Sequence, residues 1–439
     1  MANTYLTRAI GTTGNRKTFT YSTWLKRGNM GSYQPFMGDV TDPSNDYFTV
    51  SFQSADHLNI YSQLAGPGVI NISTNKLFRD TSAWYHIVLE VDTTQATASD
   101  RLKLYVNGSQ ETSFSTATYP NQNTDLAINI SGETQVVGAG HTLSSNTFDG
   151  SMSHAHFIDG TAYDATAFGE YDANGVWKIK TSPSVTYGTN GYFILKDGNS
   201  VTDQSGNSNN FTVAGGTLTK TEDSPSNVFA TLNPLAIPTS GGANTFSNGN
   251  LEITNSADAN RTSFSTLGVS SGKWYYECKV LSGEMKQFIG ISKPQDSVDR
   301  IGNSANSYGY STETARKYNN GSFSSYGTTA SSGDIIMVAF DSDNGTIWVG
   351  KNGTWFNSAT QSEIENGTTT NAMYSSITID DFFVMGVSVE DSNIQCNFGN
   401  GYFGTTAVSS AGTNASGNGI FEYDVPTGYT ALSTKGLNL

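Results

Sequence analysis

The sequence predicts an all-β protein, two antiparallel, jelly-roll-like β-sandwich domains in tandem, and three observations carry that prediction. Only 14% of the 439 residues are charged and 46 are Gly, with Ser, Thr, Asn and Tyr throughout, a composition suited to twisted sheets joined by many turns. Short runs alternate aromatic or β-branched residues with polar ones and are separated by Asn-Gly pairs, the signature of hairpins. Finally, 439 residues exceed what one core organises, and the strand pattern recurs on both sides of a Pro/Asn/Gly-rich stretch.

The first half reads as strand and turn from Thr18 to Lys180: KTFTYSTWLKRG, DYFTVSFQS, HLNIYSQL, WYHIVLEVD, RLKLYVNG and FDGSMSHAHFIDG. Within WYHIVLEVD, Tyr85, Ile87, Leu89 and Val91 share one parity and hence one face, and Asn107-Gly108 closes the next strand. This order of strands resembles the concanavalin A-like, laminin G-like fold over roughly the first 180 residues.

Three ordered motifs follow: Phe168-Gly169-Glu170, then Asp203-Gln204-Ser205-Gly206-Asn207, then Asp223-Ser224-Pro225 leading into FATLNPL. Asp and Asn close local turns with their own backbone, and Pro225 and Pro234 hold the chain extended. The expected division is a first domain over 1–222, a connector over 223–245 and a second domain over 246–439, with the two sandwiches packed together through the connector. These motifs resemble the linking region of virion proteins from tailed bacteriophages, marine ones among them, in which a concanavalin A-like domain precedes a SPRY-like domain.

In the second half the order is GKWYYECKV from Gly272, QFIGIS from Gln287, a Tyr/Gly-rich stretch, GDIIMVAFDSDNGTIWVGKNGTWF from Gly333, and NIQCNFG. Asn344-Gly345 and Asn352-Gly353 punctuate consecutive hairpins. The order resembles the SPRY domain, which implies a recognition module without catalytic chemistry. The tail GIFEYDVPTGYTALSTKGLNL resembles the ending of the same phage modules. Parity places Cys278 with Trp274 and Tyr276, and Cys396 with Ile394 and Phe398, so both thiols are expected in one core, either free or as a cross-strand bridge.

Charge and hydropathy exclude several classes. The net charge is −15 with no Lys/Arg cluster, which repels a phosphate backbone and argues against nucleic acid. No run of 18 apolar residues occurs, and the start lacks the pattern of a secretory signal. The expectation is synthesis in a cytoplasm, with no insertion into a membrane.

Catalytic patterns are mostly missing. Glucanases of the concanavalin A-like fold carry Glu-x-Asp-x-x-Glu, a pair of acids about 5 Å apart in retaining enzymes. Here Glu90-Val91-Asp92 begins that pattern, but Gln95 replaces the last carboxylate. His154-Ala155-His156 has a chelating spacing without a third ligand, and reads as outward-facing or core histidines. His57, His86 and His141 stand alone. The loop from Asp39 to Asp46 holds three carboxylates, a candidate for Ca2+ or simply a solvated acidic loop. No cofactor is expected otherwise.

Sugar- and protein-binding surfaces favour exposed aromatic and Arg side chains, and the loops richest in them run from Asp296 to Tyr310 and from Thr314 to Tyr326. The candidate binding residues are therefore Arg300, Tyr308, Arg316, Tyr318 and Tyr326, with Trp355 at their border. Taken with the resemblance, the expectation is a non-enzymatic structural or recognition protein on the exterior of a phage particle, a head fibre or decoration or a tail-fibre adhesin. Its partners would be other virion proteins, a host surface glycan or protein, and copies of itself, as in trimeric phage fibres. The alternative is a lectin-like or carbohydrate-active accessory protein acting on host polysaccharide.

Overall fold

A two-residue period sorts side chains between faces of a sheet, and the first half of the chain keeps that period closely. On the strand Asp46–Phe52, Phe48, Val50 and Phe52 are buried while Tyr47 lies half-buried on the other face. On Trp84–Asp92, Ile87, Leu89 and Val91 point into the same core. The computed structural model describes residues 3–65, 68–196, 201–237, 242–296 and 298–438, and the chain divides into two units, Met1–Lys220 and Thr221–Leu439. Both are built almost wholly of antiparallel strands, as the sequence predicts.

The first unit packs two large sheets together, beside a two-stranded ribbon of Gly169–Tyr171 and Trp177–Ile179. One runs in the order Phe114–Thr118, Gly68–Leu77, His57–Gln63, Asp46–Phe52, Gln34–Asp42, Thr134–Val137, Tyr5–Ala9, Thr212–Gly215. The other runs Tyr192–Ile194, Gly150–Asp159, Thr18–Arg27, Trp84–Asp92, Leu102–Val106, Ser109–Glu111. Phe19, Tyr21, Leu25, Phe48, Ile60, Leu89 and Phe157 help fill the core they share, a sheet-on-sheet packing. Asn107 and Gly108, at φ +49° and +80°, form the expected two-residue turn between Val106 and Ser109.

The segment after Asp159 folds back over the six-stranded sheet. Phe168 and Trp177 pack there against Val88 and Ile158, and Gly169 is required, because a Cβ would lie 2.4 Å from the Trp177 ring. The Asp203 motif is a hydrogen-bonded knot. Its carboxylate accepts from the backbone N–H groups of Phe193 (2.8 Å), Ser205 (2.9 Å) and Asn209 (2.9 Å) and from the Ser205 hydroxyl (2.7 Å). Asn207 and Asn209 then donate to the carbonyls of Gly188, Thr189 and Gly191.

The second unit is organised by two long strands, Lys273–Ser292 and Phe383–Asn397. Register shifts between Val280 and Lys286 reverse the inward parity. Before the shifts Trp274, Tyr276, Cys278 and Val280 face the core, and after them Ile289 and Ile291 do. Ile335–Asp341 pairs with the first half of Lys273–Ser292 and leads through the predicted hairpins, with Asn352 and Gly353 at φ +50° and +82°. Ser307–Ser311, Arg316–Asn319 and Ser322–Ser325 continue the sheet from the second half to its edge. Among the described residues the strand pairing of Thr430–Ala431 against Trp274 and Tyr275 is parallel, as is the single bridge between Asn400 and Ile420. The longest helix among the described residues is the single capped turn Gln361–Glu365.

Two expectations are refined. The segment from Asp223, expected as part of a connector, belongs to the second unit: Phe229, Ala230 and Leu232 are buried in its cores, and the Ala230 N–H donates to the Leu432 carbonyl. Phe229, Ala230 and Leu232 of FATLNPL, read as linker because of the flanking prolines, are thus strand-like core, while Leu235 is exposed. Residues 238–241 of that span lie outside the described residues. Cys278 and Cys396 are register partners, both fully buried and both free thiols, with Sγ atoms 3.6 Å apart.

Candidate functional site

Where two strand residues differ by an odd number they face opposite ways, and QFIGIS shows the consequence. Ile289 and Ile291 enter the core, so Phe288 emerges on the other face. There it joins Phe264, Val298, Ile301, Tyr318 and Val384 in a small second cluster. The loop carrying Val298 and Ile301 is laid flat on these strands. Gly386 makes room for Ile301, since a Cβ there would meet its Cδ1 at 2.6 Å, and Gly302, at φ +95°, passes over Tyr318 where a Cβ would meet that residue's Cβ at 2.5 Å. Hydrogen bonds from the Ile301 N–H to Ser388 Oγ (2.9 Å) and from the Gly302 N–H to Ser307 Oγ (2.7 Å) fix it.

This loop delivers Arg300 over the Phe288 and Tyr318 rings, 4.9 and 5.0 Å from their centroids. Arg316 lies 4.4 Å over Phe323, which faces Tyr318 across the hairpin with the rings 5.4 Å apart. Phe323 is 56% exposed on an otherwise hydroxyl-lined strand. The result is a continuous ladder of Phe288, Arg300, Tyr318, Phe323 and Arg316. Stacking of this kind contributes about 0.5–1 kcal/mol per pair at exposed sites and holds the guanidinium planes in place. Neither arginine has a carboxylate partner among the described residues; the unit's ion pairs use Lys273, Lys286, Lys293 and Lys351.

Of the six residues singled out by sequence, Arg300, Arg316 and Tyr318 come together, with Tyr318 as a buried support rather than a contact. The other three do not join them. Tyr308 is on the opposite face, against Tyr374 and Phe383. Tyr326 is 2% exposed beneath Phe356, and Trp355 is 7% exposed in a cluster with Tyr275 and Trp348. For Tyr308 the reason is strand alternation, which puts it opposite Asn319 but Gly309 opposite Tyr318. Phe288 was missed, although its phase relative to Ile289 and Ile291 was the available signal. Ser297, in the same loop, lies outside the described residues.

The candidates for chemistry in the first unit are occupied by structural roles. Glu90 accepts from Tyr105 Oη (2.7 Å) and pairs with Lys103 (3.3 Å), while Asp92 takes the Gln95 amide (2.6 Å) and the Thr94 hydroxyl (2.6 Å). His86, His154 and His156 are all buried. His86 is pushed down to about 3 by burial and by the neighbouring His154, and His156 well below its usual range by burial. Asp39, Asp42 and Asp46 diverge: Asp39 is buried and accepts from the Asn129 N–H, Asp42 caps its own turn through Ser44 and Asn45, and Asp46 accepts from the Ala65 N–H. Among the described residues no group of three His, Cys, Asp or Glu is placed to hold a metal ion, and no helix is long and apolar enough to cross a membrane.

Two family profiles match the chain: the concanavalin A-like lectin/glucanases superfamily over residues 2–166 and the SPRY domain over residues 273–400. No curated protein sequence matches it. Among solved structures, the SPRY domain of human HERC1 matches at 17% sequence identity, covering 38% of this chain and 96% of its own, with a TM-score of 0.29. A concanavalin A-like domain is thus followed by a SPRY domain, both of them typically binding rather than catalytic modules.

Proposed function

We propose that this chain is a non-enzymatic recognition and structural protein on the exterior of a tailed-phage particle, a head fibre or decoration or a tail-fibre adhesin. It is made in the host cytoplasm, assembles with copies of itself, and binds a host surface or a neighbouring virion protein through the outer edge of its SPRY domain. The observation that carries the contact surface is the ladder of Arg300, Phe323 and Arg316, two stacked guanidiniums without acidic partners among the described residues, in a chain of net charge −15. Interface energy concentrates in such Arg and aromatic anchors. The phage reading is supported by the three ordered motifs from Phe168 to Pro225 and their resemblance to the linking region of phage virion proteins. No cofactor is required by this role.

Location on the particle is tested by immunogold labelling or an asymmetric reconstruction, with density for both sandwiches expected outside the capsid or on the tail. Arg316→Ala and Phe323→Ala are expected to lower adsorption or incorporation at least tenfold, since anchors contribute roughly 2 kcal/mol each, while lowering the melting temperature of the unit by only about 1–4 °C, the share of one lost stacking contact. Internal density, or unchanged adsorption and incorporation in both variants, overturns the reading.

A lectin-like accessory role is favoured by one observation in the first unit. On the outer face of the eight-stranded sheet, Tyr47 stacks between Tyr61 (5.7 Å) and His141 (3.8 Å), beside Asn59 and Asn71, which bond one another at 2.9 Å. Rings with amides beside them suit a neutral saccharide. Retention on neutral polysaccharide gels that is lost in Tyr61→Ala would favour this role.

A further inference from the structure

The strand Ser322–Ser325 ends the second unit's sheet, pairing with Arg316–Asn319 on one side and with no strand on the other among the described residues. The hairpin turn is Asn320-Gly321, at φ +52° and +70°, with Asn319 opposite Ser322. In a two-residue hairpin the residues flanking the turn exchange hydrogen bonds and the next pair does not. Tyr318 and Phe323 are that next pair, so the N–H and C=O groups of Phe323, and by the same alternation those of Ser325, point outward from the edge. Natural edges of this kind are usually blunted by Lys, Pro or a bulge. Ser322-Phe323-Ser324-Ser325 has none of these, and all four residues are exposed.

We propose that this edge takes up an extended peptide segment of the partner as an added strand, with an acidic side chain of that segment meeting Arg316 and an apolar one covering Phe323. The main-chain groups of Phe323 and Ser325 supply non-specific hydrogen bonds, and alternate side chains of the guest supply the specificity. Charge decides the guest's sign. Arg316 projects on the same face as Phe323 and has no carboxylate partner among the described residues, and Arg300 lies behind it over Tyr318. A basic strand is disfavoured by both. The inference rests on the reading of this edge as the contact surface and adds the form and charge of what binds.

The test selects twelve-residue peptides from a random displayed library against the full chain, with Arg316→Glu protein as counter-selection. The expected winners carry Asp or Glu two positions from a β-branched or aromatic residue. They are expected to lose at least tenfold in affinity for Arg316→Glu and for Ser325→Pro, which removes an outward N–H without touching the hairpin ladder. Because Ser325→Pro can disturb the fold, a second arm leaves the protein intact. Backbone N-methylation of the peptide at alternate residues is expected to abolish binding on one register and spare the other. Winners without acidic residues, or binding indifferent to both N-methylation registers, overturn the proposal. So does sedimentation showing that the edge pairs with a second copy of the chain, in a complex dissolved by Ser325→Pro. If Phe323→Ala lowers particle adsorption while N-methylated peptides bind normally, the contact surface survives and strand addition fails.

Discussion

At the scale of single residues, His86 is an ionisable group held on both ring nitrogens. Trp177 Nε1 donates to its Nδ1 at 2.9 Å, so the ring proton resides on Nε2, which lies 2.9 Å from Ser22 Oγ. The ring also stacks on Trp24 at 4.6 Å. With a folded value of about 3 against an ordinary 6.5, the unfolded chain binds a proton that the folded one refuses throughout that window. The stabilisation is therefore complete above pH 6.5 and is lost as pH falls toward 3, at about 1.4 kcal/mol per pH unit. In a histidine NMR titration His86 and His156 are expected to stay neutral down to pH 5, and His86→Gln is expected to flatten the acid limb of the first unit's stability. A His86 titration midpoint above 6 would contradict this. Glu90→Gln and Asp92→Asn are expected to leave biological function unchanged, because both carboxylates serve their own strand ends; appearance of a glycan-cleaving activity in the parent that either variant loses would reverse that view.

Elements divide into those whose structure is local and those decided by distant partners. The turns at Asn107-Gly108 and Asn352-Gly353 were legible because positive φ at two successive residues selects Asn-Gly. The shared core of Trp274, Tyr276, Cys278, Ile394, Cys396 and Phe398 was legible from parity alone. The faces of Tyr308 and Tyr318 were not, because a loop reading ignores the strand phase that separates them. FATLNPL was not, because its partners, among them Leu432 and Ser265, are far along the chain. The Asp203 motif read as a turn, yet its four acceptor contacts include one to Phe193 on a neighbouring strand. Asp203→Ala should then cost the first unit about 3 kcal/mol, as several buried donors lose their acceptor together, measured by urea denaturation. A change below about 0.5 kcal/mol would mean that water replaces the carboxylate.

On the scale of the whole molecule, two separate cores predict two separate transitions. Limited digestion with a protease of broad specificity, such as proteinase K, is expected to cut near Lys220, between the units, rather than within 223–237, where Phe229 and Leu232 are buried. Fragments that melt independently would agree, and one concerted transition with no cut before residue 245 would not. Trp348→Ala, at a fully buried position, should remove about 3–5 kcal/mol from the second unit alone. Glu277 shows how that unit is closed: buried and raised to about 7 by burial, it accepts from the Tyr275 hydroxyl and from the N–H groups of Glu422 and Tyr423. Phe229 meanwhile bridges to Ser433, just as Leu6 pairs with Val213 in the first unit. Each unit is sealed by strands from its two extremes, and this sets a timetable on the ribosome. The first unit can close once residue 215 has emerged, but the second must wait for residue 433. At roughly 5–20 residues per second, that leaves Phe229 and its neighbours without their late partner for about 10 to 40 s of every round of translation.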